Sequence, residues 1–481
     1  MRKGGNCVLE IANLWFKYPN GDWVLRGLDL SVSEGEHVLV IGETGSGKTT
    51  LTRIITGSAN LIYDGILKGR VAINGISLEE NTEAFTSQVA LIGQNPYLYF
   101  TEPLVRHDLY SYALSVHGNV ERAVKALNKA IEVTDIQDLI EKYFFELSGG
   151  QAKRVLVAKA LISNSQLLLF DEPLMWLDDV GLKDFINLLN ILKVLRRSVV
   201  IFEHRFMPLI EHVDEVYVLK NGKLTRISNR LHAFKEAGGK VHHGFDCGPN
   251  CKSSSNGGNV LLETVDVHFK YRNSSDYVLR GINLKLCKGD LVLLYGSNGQ
   301  GKTTLLKVLA GYLKPSRGRV TRKTDVIYIP QNVVLFYTES TVEKEVVEIC
   351  KARKMSDVHV KLGIEAVKKL GIDPMQSPFN LSHGQMVKLA FELARTSNSE
   401  ILLLDEPFSG LTYGDRLELL RHLVESNCTA IVATSNLDAI GSPYWTKLYK
   451  IESGKLVVLN PISSPSLLYA SRLYEEIIGV E

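Results

Sequence analysis

No stretch of this sequence reaches the ~18 consecutive apolar residues of a membrane-spanning helix, and Met1-Arg2-Lys3-Gly4-Gly5-Asn6 does not lead into the apolar region of a signal peptide. The chain is therefore expected to stay in the cytosol and to form no pore by itself. Cysteine is sparse: Cys7, Cys247, Cys251, Cys287, Cys350 and Cys428 are scattered through 481 residues, which is not how a disulfide framework is built. Mostly reduced thiols are expected. An excess of one charge is missing too, since 55 Lys and Arg against 53 Asp and Glu leave a formal net charge of +2. Composition thus gives no reason for a large nucleic-acid or anionic-membrane footprint, although a local basic patch stays open. What is present, 45% hydrophobic and 22% charged residues, describes a globular chain long enough for large cores, with room for two domains and their sub-lobes.

One pattern is read twice. Phe16-Lys17-Tyr18 recurs as Phe269-Lys270-Tyr271, Val24-Leu25-Arg26-Gly27 as Val278-Leu279-Arg280-Gly281, and Gly47-Lys48-Thr49-Thr50-Leu51 as Gly301-Lys302-Thr303-Thr304-Leu305. Leu147-Ser148 and Leu381-Ser382 follow, then Asp171-Glu172-Pro173 and Asp405-Glu406-Pro407. This is a duplication. The first copy is longer between Lys48 and Gln94 than the second between Lys302 and Gln331, and the extra residues are expected to include Tyr63-Asp64-Gly65 and the strand-like Val71-Ala72-Ile73-Asn74-Gly75. The copies are assigned to 1–235 and 260–481. Between them, 236–259 is rich in Gly, Ser, Asn and His and reads as a flexible linker; about 20 such residues span roughly 25 Å, enough for the halves to fold back on each other. His242, His243, Cys247 and Cys251 within it could hold Zn²⁺ or Co²⁺, although their spacing is not a strong finger spacing.

In each half, short continuous apolar runs such as Val38-Leu39-Val40-Ile41, Leu167-Leu168-Leu169-Phe170 and Val199-Val200-Ile201-Phe202 alternate with helical segments. Strands buried on both faces imply an α/β sheet with parallel strands, and the helical run Val120 to Ile140 implies a separate helical lobe. Two of these runs lead into phosphate loops: Gly42-Glu43-Thr44-Gly45-Ser46-Gly47-Lys48-Thr49 and Gly296-Ser297-Asn298-Gly299-Gln300-Gly301-Lys302-Thr303. The glycines let backbone N–H groups turn around phosphate oxygens, the lysine reaches the terminal phosphates, and Thr49 or Thr303 can bind Mg²⁺. Asp171 and Asp405 end apolar strands and can hold Mg²⁺ through water, leaving Glu172 and Glu406 to polarise the attacking water.

Leu147-Ser148-Gly149-Gly150-Gln151, shortly before Asp171-Glu172, resembles the signature of ATP-binding-cassette proteins, and the resemblance covers the chain outside linker and tail. It implies two tandem P-loop NTPase domains, each a RecA-like α/β core with an antiparallel β lobe and a helical lobe, paired head to tail around ATP and Mg²⁺. Each P-loop would then face the other half's signature, Ser148, Gly149, Gly150 and Gln151 or Ser382, Gly384 and Gln385. By the same resemblance Tyr18 and Tyr271 look like adenine-stacking aromatics. Gln94 and Gln331 look like glutamines that sense γ-phosphate, Mg²⁺ and a membrane partner, and His204 resembles the switch histidine. Thr50 and Thr304 complete the two phosphate loops.

Gln94-Asn95-Pro96, Glu203-His204-Arg205, Tyr63-Asp64-Gly65 followed by Gly69-Arg70-Val71, and Gln331-Asn332 followed by Thr341-Val342-Glu343 are similar to ATPases of energy-coupling-factor transporters, which import vitamins and transition-metal ions. That likeness implies docking at the cytoplasmic face of the membrane on a transmembrane coupling subunit that also carries a small substrate-binding membrane protein. The alternatives are a tandem ATPase of a sugar or nucleoside importer and a soluble cassette protein acting on ribosomes or nucleic acid. The second copy departs from the pattern at His383 in its signature, at Thr412 where the first copy has Asp178, and at Ser435 where it has His204. Either this is drift or the two ATP sites are inequivalent.

Overall fold

The computed structural model describes residues 6–459 apart from 20, 44, 176, 228–258, 273, 398, 427, 437–438 and 441–443. The expected linker, except Asn259, and the His242, His243, Cys247 and Cys251 group lie outside the described residues, as does Thr44 of the first P-loop. The described residues fall into two compact units, 6–227 and 259–459.

The first unit runs β1 (Cys7–Lys17), β2 (Trp23–Ser33), β3 (His37–Ile41), α1 (Lys48–Ile55), α2 (Ser58–Tyr63), β4 (Ile66–Ile73), β5 (Ile76–Ser77), α3 (Thr82–Thr86) and β6 (Val89–Ile92). It continues through α4 (Val105–His117), α5 (Val120–Thr134), α6 (Gly149–Ile162), β7 (Leu167–Asp171), α7 (Asp179–Val194), β8 (Ser198–Glu203), β9 (Glu215–Lys220) and β10 (Lys223–Arg226). β3 and β8 are buried along their whole length, so their sequences show no alternation. They lie inside the sheet β10-β9-β3-β8-β7-β6, parallel except at β10. β1 and β2 do alternate, burying Leu9, Ile11, Leu14 and Phe16 and Leu25, Leu28, Leu30 and Val32, because one face of the antiparallel sheet β2-β1-β4-β5 meets the core. The helical lobe has its own core of Val105 and Leu109 from α4, Leu127 from α5, Val155 from α6 and Leu147 from the turn before α6.

The second unit runs β11 (Val260–Phe269), β12 (Leu279–Cys287), β13 (Leu291–Tyr295), α8 (Lys302–Ala310), β14 (Arg317–Arg322), β15 (Val326–Ile329), α9 (Val342–Ala352) and α10 (Asp357–Lys369). Then come α11 (His383–Thr396), β16 (Ile401–Asp405), α12 (Tyr413–Glu425), β17 (Thr429–Thr434), β18 (Lys447–Glu452) and β19 (Lys455–Val458). Its sheets, β12-β11-β14 and β15-β16-β17-β13-β18-β19, repeat the plan. Each unit is thus a P-loop α/β core with an antiparallel β lobe and a helical lobe, as expected. Among the described residues no helix is long and apolar enough to cross a membrane.

Two expectations are corrected. Val71, Ala72 and Ile73 are not extra: they pair with β1 as Val320, Thr321 and Arg322 pair with β11, and most of the added length follows them, in β5 and α3. The helical run also stops at Thr134, because Asp135 turns left-handed with φ 51°.

Candidate functional sites

β3 and β13 each feed a glycine loop that opens a helix at a lysine. Gly47 and Gly301 have φ of 108° and 101°, a region closed to most side chains, and a Cβ on Gly42 would lie 2.6 Å from the Leu219 carbonyl oxygen. Neither helix has a side-chain cap, so its first N–H groups are available to an anion. Lys48 and Lys302 are buried; their Nζ atoms donate to the carbonyls of Gly42 (2.6 Å) and Glu43 (2.9 Å), and of Gly296 (2.7 Å) and Ser297 (3.2 Å). Burial pushes Lys48 below the usual lysine range, opposed by Glu172, Glu203 and Asp171.

Both tyrosines stand over these helices: Tyr18 shares a hydrogen bond with the Thr50 hydroxyl (3.3 Å) and Tyr271 with that of Thr304 (3.1 Å). Arg53, which no sequence motif marked, donates to Tyr18 (3.0 Å) and lies over the ring of Tyr63 at 4.5 Å, joining two aromatics that the motifs did include.

Asp171 and Asp405 end β7 and β16 as expected. The glutamates that follow are both left-handed, with φ 48°, and their N–H groups donate to Phe202 and Ala433 (2.8 Å each). Such backbone costs about 1–3 kcal/mol in a residue other than glycine and is concentrated at functional sites. In the first unit the Glu172 carboxylate accepts from Gln94 Nε2 (3.0 Å), and His204 Nδ1 lies 3.7 Å from Glu172 Oε1 and 3.1 Å from Glu203 Oε1. His204 is buried and its Nε2 has no hydrogen-bond partner among the described residues. Burial works against the charge on Glu172, yet His204, Lys48 and Gln94 hold its carboxyl below the ordinary value. Asp171, desolvated and beside Glu172, is pushed up to about 6 despite Lys48. A carboxylate kept ionised by an amide donor and a nearby imidazole can accept a hydrogen bond from a water.

The second unit uses other groups. Glu406 accepts from Thr434 Oγ1 and Ser435 N (3.1 Å each) and pairs with Lys302 (3.2 Å), while Asp405 Oδ2 accepts from Tyr328 (2.9 Å). Burial pushes Asp405 up, with Thr303 and Tyr328 opposing. Among the described residues Asp405 Oδ1 is buried without a hydrogen bond of good geometry, which suits a hydrated cation. Gln331 lies half-buried just beyond β15.

Ser148 and Ser382 cap α6 and α11 through capping boxes with Gln151 and Gln385. Among the described residues the hydrogen bonds of Ser148 and Gln151, and of Ser382 and Gln385, run within each capping box, and none joins them to Lys48 and Glu172 or to Lys302 and Glu406. A Cβ on Gly149 would meet nothing within 4 Å, which is why His383 is tolerated at the matching place. Thr412 is likewise benign: it caps α12 through Asp415 N as Asp178 caps α7 through Gly181 N. At Ser435 the surroundings do differ: Glu406 meets the Ser435 N–H and the Thr434 hydroxyl, where Glu172 has the His204 ring beside it.

Sequence reasoning missed Lys153. Its buried Nζ donates to the carbonyls of Pro173 and Met175, tying α6 to the loop after Glu172, and burial lowers its pKa to about 8. A Lys after the signature had no motif to mark it.

A family profile described as ABC transporter matches residues 25–175 and 279–409. A protein of Sulfurisphaera tokodaii named as an ABC transporter ATP-binding protein is 30% identical over 475 residues, covering 94% of this chain and 98% of its own length. One of the same name from Treponema denticola is 30% identical over 443 residues, covering 85% and 87%. Among solved structures, RNase-L Inhibitor superposes with a TM-score of 0.63 at 21% identity over 99% of this chain and 93% of its own, a likeness of fold alone.

Proposed function

Because this chain belongs to the ABC transporter family and carries that family's ATPase domain twice, we propose that it is the ATP-hydrolysing subunit of an energy-coupling-factor importer of a vitamin or a transition-metal ion. The observation that carries this reading is the cluster on Glu172: the two segments similar to that subfamily, Gln94-Asn95-Pro96 and Glu203-His204-Arg205, meet at the carboxylate that would activate water. In this reading the domains are 1–235 and 260–481, paired head to tail. Tyr18 and Tyr271 stack adenine. Lys48 and Lys302 leave their loop carbonyls for the terminal phosphates, Glu172 and Glu406 take the proton of the attacking water, and His204 Nε2 donates to the γ-phosphate. Bound Mg²⁺, held by Thr49, Gln94 and Asp171 or by Thr303, Gln331 and Asp405, would neutralise charge that develops on the phosphates. ATP and water give ADP and phosphate, and the useful output is the motion of the cassettes, passed to a transmembrane coupling subunit with its small substrate-binding partner at the cytoplasmic face of the membrane.

The test is to purify the tagged chain from its native membrane. Recovery of a coupling subunit and a small, very hydrophobic protein is expected. A periplasmic-type sugar-binding partner would favour a sugar or nucleoside importer. Ribosomes or RNA retained at moderate salt would sink the transport reading, because non-specific electrostatic binding weakens steeply with salt.

A further inference from the structure

No motif marks Tyr328. It lies on β15, buried to 8% exposure, with its ring edge-on to Tyr312 and its hydroxyl on Asp405 Oδ2 at 2.9 Å. The first unit lacks this bond. Tyr328 pairs with Leu403 between β15 and β16, and Leu91 pairs with Leu169 between β6 and β7, so Leu91 fills the same place two residues before the aspartate's partner position. Tyr99 is the phenol that feels the charge of Asp171, but it belongs to another segment and is packed over Gly93, where a Cβ would lie 2.3 Å from its oxygen. Asp405 therefore has Oδ2 fixed by a phenol, while Oδ1 is buried with no hydrogen bond of good geometry among the described residues, the Thr303 hydroxyl lying near the same carboxylate.

A bond from a neutral donor to a carboxylate is charge-assisted and directional, so it fixes the rotation of the carboxylate about its own axis. A carboxylate held in place by an outer hydrogen bond meets a cation's hydration shell without first losing that freedom. We propose that Tyr328 is a positioning residue that pre-orients Asp405 for hydrated Mg²⁺, so that the second half holds Mg²⁺–nucleotide more tightly than the first. This rests on the reading that the second P-loop binds Mg²⁺-ATP.

The experiment uses the full chain with Lys48→Ala to silence the first site, a non-hydrolysable ATP analogue as probe, and a Mg²⁺ titration of binding with and without Tyr328→Phe. The phenylalanine keeps the ring and removes only the hydroxyl. Its half-saturating Mg²⁺ should rise about 10- to 100-fold, the usual cost of losing a group that orients a metal ligand, while binding of the analogue without Mg²⁺ stays within about twofold. An unchanged Mg²⁺ requirement overturns the inference, and so does an equal loss with and without Mg²⁺, which would mark Tyr328 as packing only. If Lys48→Ala leaves no binding that Lys302→Ala abolishes, the reading of the second site fails and the inference with it.

Discussion

At the start of its central strand the first unit buries His37 where the second has Leu291, at the same register against the neighbouring strand. Among the described residues neither ring nitrogen of His37 makes a hydrogen bond of good geometry, the Arg197 backbone being the acceptor that favours its charged form. Burial, with Lys193 adding and Asp214 opposing, depresses its pKa from 6.5 to about 4. Between those values the unfolded chain binds a proton that the folded chain refuses, so stability falls as pH drops through that window, by about 3 kcal/mol at pH 4. Denaturant titrations from pH 7 to pH 4 should show this loss, and His37→Leu should remove most of it; an unchanged pH dependence would refute the assignment. A second residue-scale prediction compares the glutamates. Glu172 faces Gln94 and His204, whereas Glu406 is held by Thr434, Ser435 and Lys302, so hydrolysis should run mainly on Glu172. Steady-state turnover of the assembled complex should fall on the order of 10²–10⁴-fold in Glu172→Gln and retain a substantial fraction in Glu406→Gln. The reverse order would mean that His383 disables the first site, and equal partial losses would mean drift. Lys48, Asp171 and Glu172 were legible in the sequence because their spacing is local. Tyr328, Thr434 and Lys153 were not, because none sits in a short motif and each acts only through a contact the fold makes, on Asp405, on Glu406 and on the Pro173 and Met175 carbonyls.

On the scale of elements, the first helical lobe is pinned by an ion pair. Lys159 of α6 meets Asp108 of α4 at 2.7 Å, and Asp108, fully buried, also accepts from Thr101 N and Oγ1 and from Glu102 N. Lys159→Met would strand that carboxylate and should destabilise the lobe by about 3–5 kcal/mol, whereas adding Asp108→Asn should recover part of the loss. A double-mutant cycle in urea measures the coupling, and additive losses would show that the pair is not the cause. In the second unit Glu345 takes the N–H groups of Thr338 and Glu339, and Leu393 stands where α6 has Lys159. Burial accordingly raises the Glu345 carboxyl. The helical pattern overran here for a physical reason. Ile136 and Leu139 keep the apolar spacing of α5 because they pack into the lobe core from the loop beyond it, so periodicity reports burial and not backbone. The strands were read more faithfully, since β3, β7, β8 and their counterparts are buried runs whose length alone separates them from helices.

For the molecule as a whole, duplication predicts two nucleotides per chain when Glu172 and Glu406 are both changed to glutamine, and one when Lys302→Ala is added; a stoichiometry of one that ignores Lys302 would remove the second site. The duplicated plan was plain in the sequence because the motifs recur in order, whereas His383, Thr412 and Ser435 left open whether the two ATP sites differ. The left-handed backbone at Glu172 and Glu406 has a further consequence for anyone selecting variants. Glycine at either position would relieve about 1 kcal/mol or more of backbone strain while deleting the carboxylate. A library screened for heat resistance should therefore enrich glycine at 172, whereas at 406 the buried Lys302 left without its partner works against it; the same library ranked by phosphate release should discard glycine at both, so the most durable clones would include the least active ones.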